Sequence, residues 1–145
     1  MVFFSLISTF AAGNPELVLQ KYQGLHQAYE WRIKQERILA TPEWNVDSTN
    51  IPIAPDKAWQ ITKDWFLKQG KPRPDFVRIE IRPFVPESEN TKLDERLKKK
   101  FYYQIQCSPT HYAEGGKFDY MFVFVLMDGT VLEPILIDSL EGDKK

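Results

Sequence analysis

The chain has 145 residues, 43% hydrophobic and 27% charged, with 19 basic against 20 acidic side chains for a formal net charge of -1. That length fits one compact domain, and the composition excludes a wholly disordered, collagen-like or disulfide-scaffold chain. The charge balance gives no general attraction to nucleic acid, so no nucleic-acid partner is expected, and the single cysteine, Cys107, excludes an intramolecular disulfide and every multi-cysteine metal site.

Residues 2–13 are an apolar run that ends in the small residues Ala11, Ala12 and Gly13. The hydrophobic and cleavage regions of a secretory signal peptide read in this way, although no Lys or Arg precedes Lys21. The run is well short of the ~20 residues a bilayer-crossing helix needs, so no integral membrane span is expected. Cleavage of residues 1–13 would place the protein outside the cytoplasm, periplasmic or secreted; a buried N-terminus in place of a signal would leave it cytoplasmic.

Residues 14–50 read as a helix and a linker. Asn14 suits a cap, Pro15 the first helical position and Glu16 the positive end of the helix dipole. Val18, Tyr22, Leu25, Tyr29 and Ile33 then recur at steps of three and four, which predicts a helix to about residue 39. Thr41-Pro42 ends it, and Asn45, Asp47, Ser48, Asn50 and Pro52 mark a linker or edge strand.

A second helix is predicted from Pro55-Asp56 to Gly70, with Ala58, Ile61, Trp65 and Phe66 on a core-facing stripe. Residues 76–82 alternate, with Val77, Ile79 and Ile81 inward and Arg78, Glu80 and Arg82 outward; residues 101–107 alternate likewise, with Tyr103, Ile105 and Cys107 inward. The charged connection over residues 83–100 is long for a compact domain and is expected to be mobile. Residues 120–127 are a continuous apolar strand, Asp128-Gly129 a two-residue hairpin loop, and residues 130–137 the returning strand. The expected fold is therefore α+β: a helix packed on a four-stranded antiparallel meander sheet, with an additional N-terminal helix.

That register sets Phe122, Phe124, Leu126 and Ile135 on one sheet face, with Glu133 among them and Arg78 and Tyr102 on the neighbouring strands. An apolar patch of this kind is normally covered, either by the first helix or by a partner protein, a peptide or a second copy of the chain. Phe122, Phe124, Glu133, Ile135, Tyr102 and Arg78 are thus the candidate binding residues.

Three segments carry a family resemblance: residues 53–62 opening a helix, Phe101-Tyr102-Tyr103-Gln104-Ile105 as a strand, and residues 123–132 as a hairpin around Asp128-Gly129. Together they resemble the PepSY-like arrangement, over about residues 51–137. Two departures are the adjacency of Asp128 and Gly129 and the long connection over residues 83–100. The resemblance implies an extracytoplasmic α+β domain of binding or peptidase-inhibitory type, over about residues 51–140, without catalytic residues. Cystatin-like and nuclear-transport-factor-like folds share the same order of elements.

Catalytic chemistry finds little support. Cys107 points inward and Pro109 separates it from His111; His111, Glu114, Asp119 and His26 follow no recurring metal-ligand spacing; Gly115-Gly116 precedes no helix that would hold a phosphate. No cofactor or metal is expected. The chain reads as a non-enzymatic module that binds a protein or peptide through an apolar sheet face or a strand edge. The alternative is a small enzyme or small-molecule binder with a pocket on the concave sheet face, using Tyr102, Glu80, Arg78 and Glu133.

Overall fold

The computed structural model describes residues 16–23, 28–71, 73–85, 95–108 and 122–137. The expected α+β class holds, with two antiparallel sheets and little helix among these residues. The expected N-terminal helix is replaced by two antiparallel strands, β1 (Glu16–Gln23) and β2 (Ala28–Lys34), followed by a short helix, α1 (Gln35–Leu39). A step of four is an even number, so Tyr29 and Ile33 share a face of a strand as readily as a face of a helix. The alternation in β2 decides the outcome: Trp31 and Ile33 are buried, Arg32 and Lys34 exposed. In β1 a register shift between Val18 and Gln20 hides that alternation. Leu17 opposite Ile33 and Tyr22 opposite Tyr29 thereby face the same way, although five positions separate them.

Helix α2 (Pro55–Lys68) forms where the sequence predicts it, with Pro55 in its first turn and Ala58, Thr62, Trp65 and Phe66 buried. It stops at Gly70, whose φ of 74° opens a left-handed turn that returns the Lys71 N–H to the Phe66 carbonyl at 3.0 Å. Beyond it, β3 (Asp75–Pro83), β4 (Phe101–Ser108), β5 (Phe122–Leu126) and β6 (Val131–Leu132) form an antiparallel sheet in that order. Helix α2 covers one face of this sheet. Trp59 stands edge-on to Phe76 with centroids 5.2 Å apart, Trp65 Nε1 donates to Glu133 at 3.0 Å, and the Tyr103 hydroxyl donates to the Ile53 carbonyl.

The last hairpin differs from its expected register by one residue. Phe124 lies opposite Leu132 and Val125 opposite Val131, so the expected pairs Phe124–Glu133 and Phe122–Ile135 do not form. The loop has three residues, Met127, Asp128 and Gly129, closed by Leu126 N–H to Thr130 carbonyl at 2.8 Å and Gly129 N–H to Leu126 carbonyl at 2.9 Å. Gly129, with φ at 90°, takes the left-handed position that a three-residue loop places at its end. Residues 130–137 also fail to form one strand. Pro134 has no N–H to continue the ladder, and β7 (Ile135–Ile137) crosses to pair with β2 in a second sheet of order β1-β2-β7.

This second sheet covers the remaining face of the first. Trp31 meets Phe124 with centroids 4.9 Å apart, Tyr22 meets Phe122 at 5.8 Å, and both Trp31 and Phe124 have 0% exposure. The layers run α2, the β3–β6 sheet, then the β1-β2-β7 sheet, with the apolar core split between the two interfaces. The connection over residues 83–100 is anchored at both described ends, by Phe84 and Val85 and by Leu97 in the 3-10 turn Glu95–Lys99, all buried; residues 86–94 lie outside the described residues. The ends of this segment thus depart from the mobility expected of it. Lys100 closes the segment with its chain buried and Nζ donating to the carbonyls of Leu39, at 3.2 Å, and Thr41, at the end of α1.

Candidate functional site

The six candidate binding residues do not form one surface. Phe124 and Tyr102 sit in the core between the sheets, with Tyr102 4.7 Å from the Phe84 ring and 5.7 Å from Phe124. Phe122 is half-buried under Tyr22. Glu133 turns to the helix side and accepts from Trp65, while Ile135 has left the sheet for β7, where it is 42% exposed. Arg78 lies open on β3. The covered face is a correction to the sequence expectation: what shelters Phe124 is the chain's own N-terminal hairpin. Physically, Phe122, Phe124 and Leu126 of β5, with Tyr102 of β4, make the apolar stripe that the facing sheet covers.

The same geometry disperses the polar set suggested for a concave pocket. Trp31 and Phe124 fill the space between the sheets, and Glu133 and Glu80 lie on opposite faces of the first sheet. Burial pushes the Tyr102 hydroxyl up, with the Arg82 charge and hydrogen bond opposing, so it stays protonated at neutral pH. Burial alone pushes the Cys107 thiol up to about 12, which removes it as a nucleophile. Among the described residues no group of three His, Cys, Asp or Glu side chains is placed to hold a metal ion. His26, His111, Glu114 and Asp119 lie outside the described residues, as do residues 1–13 and Gly115-Gly116.

An open groove lies beside α1, and both of its arginines are paired within the chain. Arg32 donates to Glu30 at 2.5 Å and to Glu16 at 3.3 Å; Arg37 reaches Asp128 at 2.9 Å and Thr130 at 3.0 Å. Burial works to raise the Asp128 carboxyl, but hydrogen bonds from Thr130 and Arg37 outweigh it and hold the group below its usual range. This network ties the β5–β6 hairpin to α1. Lys34 and Glu36, the other charged residues of the lining, are exposed to solvent.

A further candidate surface is the outer edge of β3, the longest of the terminal strands described. It is the terminal strand of its sheet, nine residues long, and no described strand pairs along its outer side. Such an edge presents unpaired backbone N–H and C=O groups, the groups another extended chain would pair with. Phe76 is 48% and Val77 47% exposed. A register shift between Phe76 and Arg78 marks a bulge at Val77, which explains why Val77 is open where the alternation predicted it buried beside Ile79 and Ile81. On the helix side of the edge, Phe76 stands against Trp59, and Lys63 Nζ lies 5.8 Å above the Trp59 ring.

The other side of the edge is charged. Arg78 hydrogen-bonds to Glu80, and Arg82 donates to the second Glu80 oxygen at 3.1 Å. The Arg78 hydrogen bond holds the Glu80 carboxyl below its usual range; partial burial opposes, and Arg82 adds to the lowering. β3 therefore carries plus, minus, plus on one face over Arg78, Glu80 and Arg82, and Ile79 and Ile81 on the other. Sequence reasoning weighed a strand edge only in general terms. The signal was present in Pro74 before the strand, Pro83 at its end and the alternate charged positions, all marks of an edge strand.

Comparison of the chain with protein-family models, with curated proteins and with solved structures gave no match.

Proposed function

We propose that this chain is a non-enzymatic binding module that takes an extended segment of a protein or peptide along the free edge of β3. The observation that carries the reading is the long outer side of β3, along which no described strand pairs, with Phe76 and Val77 open beside it. Backbone pairing along such an edge supplies affinity, and alternate side chains supply specificity. The resemblance to PepSY-like domains, in which a helix packs on a meander sheet, supports the same class of function. Residues 2–13 support an extracytoplasmic location, and a single thiol held protonated by burial suits an oxidising compartment.

The test uses a fluorescent peptide of residues 75–83, Asp-Phe-Val-Arg-Ile-Glu-Ile-Arg-Pro, as a strand probe against the intact protein, followed by anisotropy. Saturable binding is expected, lost when the central Ile of the peptide is replaced by Pro, which removes an N–H and breaks the extended ladder. Equal binding of both peptides, or none of either, would overturn the edge reading. The mass of the mature N-terminus of the expressed protein tests the location.

A further inference from the structure

We propose that the segment β3 accepts is β3 of a second copy of this chain, the two strands pairing antiparallel about a two-fold axis at Ile79. This rests on the reading of β3 as a binding edge and names its partner.

The strand runs from Asp75 to Pro83 and Ile79 is its middle residue, so an axis there sets the regular stretch Val77–Ile81 of one copy against the same stretch of the other. In that register Arg78 lies opposite Glu80 of the second copy and Glu80 opposite Arg78, while Ile79 meets Ile79 and Val77 meets Ile81. Opposite charges directly across a strand pair attract, and like charges repel. The neighbouring registers are worse. Slipping one strand by a single residue sets charged positions against apolar ones, because side-chain direction alternates. Placing the axis at Glu80 sets Glu80 against itself and Arg78 against Arg82. Placing it at Ile81 keeps a Glu80–Arg82 match but brings Pro83, which has no N–H, into the paired stretch opposite Ile79. The bulge at Val77 ends the ladder of the Ile79 register at each end, so pairing runs over Val77–Ile81 and leaves Pro83 outside it. Of these registers, this one alone is charge-matched without a proline in the paired stretch. An isologous contact of this kind closes on itself as a dimer, joining two sheets edge to edge with both α2 helices on one face.

Sedimentation of the intact protein across a concentration series tests this, with Arg78→Glu, Glu80→Arg and their equimolar mixture. Arg78 is open and Glu80 partly exposed, at 62% and 29% of their side chains, so each variant is expected to fold, with the thermal midpoint as the folding control. Wild-type protein is expected to dimerise. Each single variant faces itself with like charges and is expected to dimerise about tenfold or more weakly. In the mixture, the two acidic positions of the Arg78→Glu chain face the two basic positions of the Glu80→Arg chain, so assembly returns as a heterodimer; the doubly swapped R78E/E80R chain regains dimerisation as well. Wild-type protein that stays monomeric into the millimolar range, a dimer indifferent to either reversal, or a mixture without rescue overturns the proposal. A monomeric chain that still binds the residue 75–83 peptide loses the second copy and keeps the edge; a chain that binds neither loses both.

Discussion

The burial of Phe124 under Trp31 makes a sharp prediction, because it depends on the N-terminal residues being strands that lie over the sheet. Truncating a buried Phe or Trp to Ala removes transfer free energy and leaves a cavity, at a cost of about 3–5 kcal/mol. Both rings here are fully sheltered and 4.9 Å apart, so Phe124→Ala and Trp31→Ala should each lose an amount in that range, a large part of the ~5–15 kcal/mol total of a single domain. The pair also couples. A packed aromatic pair is worth about 0.5–1.5 kcal/mol beyond area, and the two truncations open one shared cavity, so the double variant should lose less than the sum by roughly 1–2 kcal/mol. Urea unfolding followed by far-UV circular dichroism reads all four corners, with Trp31→Phe and Phe124→Leu as milder substitutions where an alanine variant leaves no native baseline. Phe124→Asp, which puts an unpaired carboxylate between the sheets, should not fold. A folded Phe124→Asp protein, or strictly additive Trp31 and Phe124 losses, would refute the two-sheet core and reopen this face as a surface.

Two further outcomes follow from buried groups. Lys100→Met keeps the length of the side chain but removes the donor that meets the Leu39 and Thr41 carbonyls; a loss of about 2–4 kcal/mol is expected, read as a shift in the urea midpoint together with faster amide exchange in α1, and a loss below about 0.5 kcal/mol contradicts the tie. Cys107, raised to about 12 by burial, and Tyr103, raised to about 12 by burial and then by the charge of Asp56, are both favoured neutral in the folded protein. Their contribution is complete below the unfolded values of 9.0 and 10.0 and declines as pH climbs toward about 12. Urea midpoints should therefore fall steadily above pH 9, the fall should shrink in Cys107→Ala, and a thiol reagent at neutral pH should modify Cys107 only on unfolding; a flat alkaline profile counts against the burial of both groups.

The parts of the fold that local chemistry dictates were readable. Pro55, the Ala58/Trp65/Phe66 stripe and Gly70 define α2 without help from the rest of the chain, and the alternation of residues 76–82 and 101–107 defines β3 and β4. The N-terminal hairpin was not readable because its signal is degenerate: steps of four fit both periods, and the bulge after Val18 breaks the alternation that would have separated them. The last strand was misread for a related reason. Asp-Gly fits both a two-residue and a three-residue loop, and the choice between them moves every partner of β5 by one position. Which one forms depends on the backbone of Met127 and Asp128, on which the residue types are neutral. Pro134, which does carry information, was the residue to weigh, since a ladder that must pass it has to end there.

The candidate surface was legible in its composition and not in its position. Arg78, Glu80 and Arg82 were read as a solvated face, which they are, but a solvated face says nothing about whether the strand is central or terminal; that depends on where the chain places its other strands. Once β3 is terminal, the same residues acquire a second meaning. Charges and a bulge on an edge strand discourage indiscriminate pairing, and specificity is a difference between the accepted partner and the refused ones. A strand that set Arg78 against Arg, or Glu80 against Glu, would meet repulsion on the charged side of β3, and one slipped by a single residue would bury charge against Ile79. The sequence that escapes every one of these penalties sets a basic and an acidic residue on either side of a central aliphatic one, read in the opposite direction. β3 itself has that sequence, so the features that keep other strands off this edge are the ones that leave it open to its own copy.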